Sequence, residues 1–206
     1  TKGRLGLNLI WVIEMGEEVG SPGLAELCAT QAEALRADLL LASDGPRVAA
    51  DRPTLFLGAR GAATFKLELT RRAAGRHSGN FGGALRNPAL ELSHSLTTIT
   101  DASGALQIEG WTPGTIPAAT RAALEGLTPA AGEIDADWGT PDLTPAERIH
   151  AWSSAEILAL HAGDPPRPVN AIPPSARAWV QLRYAPGTDE TGLETALRAH
   201  LDAHGY

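Results

Sequence analysis

Thr64-Phe65-Lys66-Leu67-Glu68-Leu69-Thr70-Arg71 is the stretch on which the fold turns. Phe65, Leu67 and Leu69 alternate with Lys66, Glu68 and Thr70. A period of two predicts a strand with one face on a core and the other in water, as in an antiparallel sheet. The chain before it reads differently. Leu7 to Met15 is an almost unbroken apolar run, and Asp38 to Ser43 is a second. Both predict strands buried on both faces, as in a parallel sheet. Between them Ser21-Pro22 reads as an N-cap and first helical residue, and Leu24, Leu27, Cys28, Gln31 and Leu35 keep helical spacing to about Arg36. Strand, helix, strand is a βαβ unit with a right-handed crossover. The change of pattern puts a boundary within 53–61. It predicts a piece of an α/β domain over residues 1–56 and a self-contained α+β domain over 57–206.

Downstream, the glycine-rich 75–83 leads into an expected helix from about Ala84 to Leu92. Leu96–Thr100 and Ala105–Glu109 flank Asp101-Ala102-Ser103-Gly104 and predict a hairpin. Pro117 to Leu127 reads as a short helix. Thr144-Pro145-Ala146-Glu147 is a capping box with Pro at the first position, opening a helix expected to reach about His161. Ala178 to Tyr184 alternates again, and Asp189 to His204 is a closing helix stopped by Gly205. The sum predicts a four-stranded antiparallel sheet with helices on one face, a ferredoxin-like arrangement.

Composition excludes several classes. The chain has 206 residues and a formal net charge of -7, which argues against a nucleic acid or an acidic membrane surface held by charge. No apolar run approaches the roughly 18–20 residues of a membrane-spanning helix. The single cysteine, Cys28, permits neither an internal disulfide nor a CxxC metal pattern. It reads as a small core residue of a protein in a reducing compartment, the cytoplasm. The chain starts at Thr1 and enters a strand-like run at once, which reads as a piece of a longer protein.

The candidate site residues fall at element ends. Glu17 and Glu18 follow the first expected strand, and Asp44 follows the second. Open α/β sheets place their ligands there. Hard and borderline cations take carboxylate oxygens, and a neighbouring carboxylate can take a proton from metal-bound water. A pair of adjacent glutamates is ordinarily a solvated loop; position is what singles this pair out. His77 sits in a loop flanked by glycines, where backbone can approach a ligand. Alone it would be an ordinary exposed histidine. Asn87-Pro88 and Arg183 are weaker signals: an arginine on an exposed strand face is ordinarily a surface residue, although it is a natural bidentate clamp for a carboxylate. The other histidines, His94, His150, His161, His200 and His204, fall on expected helices or helix ends and read as surface residues.

Together these motifs resemble the M20 family of metallopeptidases, and within it the carnosinase-like dipeptidase branch. Glu17-Glu18-Val19-Gly20-Ser21 is similar to the family's Glu-Glu motif, and Asp44 to its later metal-binding acid. Gly58-Ala59-Arg60-Gly61 resembles the entry into its lid domain. His77-Ser78-Gly79-Asn80-Phe81-Gly82-Gly83 matches the branch's HSGxxGG signature; Asn87-Pro88-Ala89 and Asn170-Ala171-Ile172-Pro173 match as well. The resemblance implies a dizinc hydrolase of dipeptides or related amides, in which a metal-activated water attacks the scissile carbonyl. Glu17 is then the catalytic base and Glu18 and Asp44 are metal ligands. His77 stabilises the oxyanion in the partner subunit's site, and Arg183, with Asn87, holds the substrate carboxylate. It also implies a homodimer paired through the lid's first strand or the segment from Gly83 to Leu92. The family's His-x-Asp motif and its later His are absent from the chain, so two metals are expected in a longer parent and none in this chain. The isolated chain is expected to be inactive, a lid and dimerisation domain with a catalytic remnant. The alternatives are a self-association module with no catalysis of its own, and a deacetylase or desuccinylase of the same superfamily.

Overall fold

The computed structural model describes residues 3, 5–42, 51, 53–56, 58–129 and 134–206. The chain divides into two units, Thr1–Pro46 and Arg47–Tyr206. In the first, Glu17–Val19 form a 3-10 turn and Leu24–Thr30 form helix α1. The expected βαβ unit is not found among the described residues. Neither 7–15 nor 38–42 is a strand, and their apolar side chains lie in solvent, Trp11 at 74% exposure and Leu40 at 88%. A strand of this composition takes its stability from paired neighbours and from layers on both faces; no described residue of this unit pairs with them. The helix departs from expectation too. Gly23, at φ 87, is the N-cap in place of Ser21, and α1 gives way to turns at Gln31. α1 buries none of its residues, so Cys28, expected in a core, is exposed.

The second unit contains β1 (Gly61–Thr70), β2 (Arg76–His77), α2 (Ser78–Phe81), α3 (Pro88–Leu96), α4 (Ala118–Leu124), α5 (Pro145–His150), β3 (Ser154–Ala162), β4 (Ala171–Ile172), β5 (Ser175–Tyr184) and α6 (Leu193–Ala203). The alternation read at 64–71 is realised in β1, where residues on one side are half-buried and those on the other exposed. β1 pairs antiparallel with β5, from Gly61↔Tyr184 to Thr70↔Ser175. β3 pairs antiparallel with the other side of β5, with a bulge between Ile157 and Ala159. The expected four-stranded sheet is therefore a three-stranded one, ordered β1-β5-β3, beside a separate two-stranded ribbon of β2 and β4.

Being central, β5 is buried along one whole face: Ala176, Ala178, Val180 and Leu182 are each at most 1% exposed. The two alanines let helices approach closely. α3 buries Pro88, Leu92, Ser95 and Leu96, and α6 buries Leu193 and Leu197, both sets at helical spacing. Trp111 closes this core. It is fully buried, its ring stacks on Phe65 at 5.5 Å between centroids, and its indole N–H donates to the Leu193 carbonyl at 3.0 Å. A buried indole needs such a partner.

Three expected elements shift for local reasons. The helix near 84–92 becomes α3, four residues later, because Asn87 caps it and Pro88 is tolerated only in a first turn. The hairpin at 96–109 reduces to one bridge, Thr100↔Leu106, since α3 claims Leu96. Asp101 nonetheless makes the turn: its carboxylate accepts from Ser103 N–H at 2.8 Å and Ala105 N–H at 3.0 Å. The capping box at Thr144 forms in full, Glu147 N–H to Thr144 Oγ1 at 3.2 Å and Thr144 N–H to Glu147 Oε2 at 2.8 Å. The helix it opens stops at His150 and not at His161. Residues 154–162 become β3 because pairing with β5 overrides a short apolar run that fits helix or strand.

Candidate functional site

Within the first unit, Gly16 to Ser21 form a tight acidic turn. Val19 N–H donates to the Gly16 carbonyl at 3.1 Å, Gly20 N–H to Glu17 at 2.9 Å and Ser21 N–H to Gly16 at 2.8 Å. Gly20 takes φ 86, which the turn requires. Glu17 and Glu18 are both exposed, and neither carboxylate has a hydrogen bond or ion pair among the described residues. Asp44 lies outside the described residues. No three His, Cys, Asp or Glu side chains among the described residues gather as they would around a metal. A zinc ion takes three or four protein donors, so the described residues do not by themselves fit a metal.

The second unit explains the glycine-rich signature atom by atom. His77 ends β2 and caps α2, its ring Nδ1 accepting from Gly79 N–H at 3.1 Å. A side chain at 79 would put Cβ 3.0 Å from the His77 Cε1, and one at 82 would put it 2.6 Å from the Ser78 carbonyl oxygen. A side chain at 82 would thus collide with backbone, and one at 79 would crowd the His77 ring. A neutral imidazole whose Nδ1 accepts carries its proton on Nε2. The loop therefore fixes His77 as an exposed Nε2–H donor.

Two motifs far apart in sequence meet here. Arg76 and His77 pair with Ile172 and Ala171, and Ser78 N–H donates to the Asn170 carbonyl at 2.9 Å. Asn170-Ala171-Ile172 is thus the strand that holds the His77 loop. Arg72, which carries no spacing signal in the sequence, ties the ends of this region. It donates to the Pro173 carbonyl at 3.1 Å and to the Arg86 carbonyl at 2.6 Å. Asn87 is used structurally, its Oδ1 accepting from Ala89 N–H at 3.0 Å as the N-cap of α3. Its amide nitrogen makes no hydrogen bond among the described residues.

Arg183 lies at the opposite end of β5, on the sheet face away from the helices, and is exposed. Its Nε donates to Gln181 Oε1 at 2.9 Å, and Gln181 Nε2 to Thr64 Oγ1 at 3.3 Å. Arg60 is at this end too, half-buried, donating from Nη1 to the Trp152 carbonyl at 3.3 Å and to Ser154 Oγ at 3.2 Å. Burial, then the neighbouring Arg183 charge, lower the Arg60 pKa, and Glu156 partly offsets them. His150 is held below its ordinary pKa by burial and by the Arg60 charge, both of which favour the uncharged ring. His77 with Asn170–Ile172 is therefore one assembled region and Arg60 with Arg183 another.

The sequence profile of the peptidase dimerisation domain of M20 peptidases matches residues 57–206. The chain is 27% identical to the mouse Beta-Ala-His dipeptidase over 97% of its own length and 43% of the relative. It is 34% identical to the Cys-Gly metallodipeptidase DUG1 of Candida albicans over 52% of the chain and 22% of that protein. The chain thus spans well under half of these relatives. The fold is that of human carnosine dipeptidase 1, TM-score 0.72 at 21% identity over 91% of this chain and 42% of that one. It is shared by the di-peptidase Dug1p of Saccharomyces cerevisiae, TM-score 0.70 at 22% identity over the same shares. On these grounds the chain belongs to the M20 peptidase family, with residues 57–206 as its peptidase dimerisation domain.

Proposed function

We propose that the whole protein is an M20 dipeptidase acting on small peptides as a homodimer, with residues 1–56 part of its catalytic domain and 57–206 its lid. Two relatives are named for Cys-Gly and β-Ala-His dipeptides, which favours a dipeptide over an N-acyl amino acid. Glu17 is the general base: its carboxylate is exposed and uncommitted, free to take a proton from the attacking water and pass it to the leaving amine. Glu18 and Asp44 serve as two ligands of a divalent pair, zinc by resemblance. Residues 1–206 alone do not complete that site and are inactive and metal-free in this proposal. Arg183 clamps the substrate carboxylate, and Asn87 of the other copy contributes its amide nitrogen. The free edge of β1 seats the fourth strand of a ferredoxin-like sheet. A cytoplasmic setting suits the free thiol of Cys28.

The observation that carries the proposal is the His77 ring, whose Nδ1 is spent on Gly79 and whose Nε2–H is left as a preorganised donor. A second observation supports the dimer. Arg183 is eight residue steps along β5 from Ser175, about 26 Å. The His77 loop is held by β4, just before the start of β5. A dipeptide of about 7 Å cannot touch both in one chain, so residues acting on one substrate come from two copies. The reading as a self-association module alone draws on β3, an outer strand with Ile157, Leu158 and Leu160 each more than half exposed. That reading places a second copy on the β3 edge, whereas the resemblance pairs the copies through the lid's first strand or the segment from Gly83 to Leu92.

The test is His77→Asp in the whole protein. Aspartate keeps an acceptor for Gly79 N–H and is itself a good N-cap, but it has no donor. Turnover is expected to fall on the order of 10²–10³ in kcat, with an unchanged melting temperature and metal content. Turnover retained in His77→Asp would reduce His77 to a cap.

A further inference from the structure

Arg60 was singled out only as part of the Gly58–Gly61 motif, and Arg183, with Asn87, as the substrate clamp. The sheet register joins them. Arg183 stands opposite Ala62 on β1 and opposite Ser154 on β3. Arg60 is two residues before Ala62 and donates to the Ser154 hydroxyl at 3.2 Å. Two guanidiniums thus flank Ser154 on the face of the sheet that no helix covers.

We propose that Arg60 is a positioning residue for Arg183, and that the two together form a single subsite for one carboxylate group. This rests on the reading of Arg183 as the substrate clamp. The partners of Arg60 are a carbonyl and a hydroxyl, neither of them charged, although the side chain is half-buried. A partly desolvated cation with only neutral partners is under-compensated. Its charged neighbours are Arg183, of the same sign, and Glu156. The charges that act on Arg60 are thus one cation and one anion, and Glu190, the other carboxylate near this end of β5, is engaged by the Tyr184 hydroxyl at 3.1 Å. Among the described residues neither arginine has a carboxylate within hydrogen-bond reach, which leaves the pair open to one from a ligand. Gln181 fixes Arg183 through Nε, leaving both terminal nitrogens for a bidentate contact. Arg60 keeps that head from folding back over Ser154, because the two cations repel. Bringing an anion between them relieves the repulsion, so Arg60 strengthens anion binding while remaining bound to Trp152 and Ser154. Glu156 has the opposite effect: it offsets the positive charge and weakens binding.

The opposed signs make the experiment. The probe is N-acetylglycine, with N-acetylglycinamide as the uncharged control, titrated into the chain at constant ionic strength. The backbone amide resonances of Ser154 and Ala62, which stand opposite position 183 in the sheet, report binding in every variant. Arg60→Gln is expected to weaken N-acetylglycine binding about tenfold and Glu156→Gln to tighten it about threefold, the scale of one partly solvated charge contact. Arg60→Lys is expected to restore most of the loss, and the amide is expected not to bind. If Arg183→Gln weakens binding while Arg60→Gln and Glu156→Gln leave it unchanged, the clamp stands and the Arg60 inference is overturned. If Arg183→Gln changes nothing, the clamp reading and the inference fall together. Should Arg60→Gln not fold, Glu156→Gln decides, since a merely structural Arg60 predicts no tightening.

Discussion

Glu91 shows how single residues brace the His77 region. Arg71 holds it through two hydrogen bonds, at 2.9 and 2.8 Å, and Arg86 adds one at 2.8 Å. The Arg71 bond, more than any other effect, holds the Glu91 carboxyl below the ordinary carboxylate range, against a smaller opposing effect of burial. A carboxylate whose pKa is lower folded than unfolded stabilises the protein above its unfolded pKa, about 4.3, and loses that contribution as pH falls through the folded value. Glu91→Gln is therefore expected to lower the melting temperature at pH 7, with the gap to the parent narrowing below about pH 4. A gap that stays constant to acid pH would mean that the arginines add nothing through charge. Some of this residue-scale detail is legible in sequence. A histidine followed by Ser-Gly-x-x-Gly-Gly is a rare string, and the structure gives a steric reason for the glycines at 79 and 82. Arg60 and Arg72 were not legible. An arginine on a loop has no periodicity to betray which distant carbonyl it will reach.

At the scale of elements, the period-two runs were the reliable signal. β1 and β5 were visible because one face of each meets a core, and burial imposes alternation on sequence. β3 was hidden for the converse reason. It is an edge strand with most of its residues exposed, so Ile157-Leu158-Ala159-Leu160 lacks alternation and was absorbed into the preceding helix. The 7–15 and 38–43 runs misled in another way, because their composition describes a sheet environment that the described residues of the first unit do not supply. The same exposed edge carries a prediction. β1 guards its solvent face with Lys66 and Glu68, ion-paired at 2.6 Å, whereas β3 presents leucine and isoleucine. Unguarded apolar edges pair with other chains. The chain is expected to be dimeric by light scattering at micromolar concentration, and Leu160→Lys is expected to make it monomeric with an unchanged circular dichroism spectrum. A Leu160→Lys dimer as tight as the parent would move the interface elsewhere.

For the whole molecule, sequence placed a change of architecture within 53–61. The structure divides the chain between Pro46 and Arg47, and the family profile begins at residue 57. What no linear reading of one chain shows is that the His77 ribbon leads into the start of β5 while Arg183 stands near its other end. If His77 and Arg183 have the proposed roles, that separation requires two copies for one substrate. The direct measurement is complementation in the whole protein. His77→Asp and Glu17→Ala are each expected to be inactive as pure dimers. After subunit exchange, verified by mass-tagged chains, a mixed dimer has one site with both Glu17 and a partner's donor at position 77. An equimolar mixture at equilibrium holds half mixed dimers, so about a quarter of the parental activity is expected to return. A fully exchanged mixture that stays inactive would contradict the two-chain site.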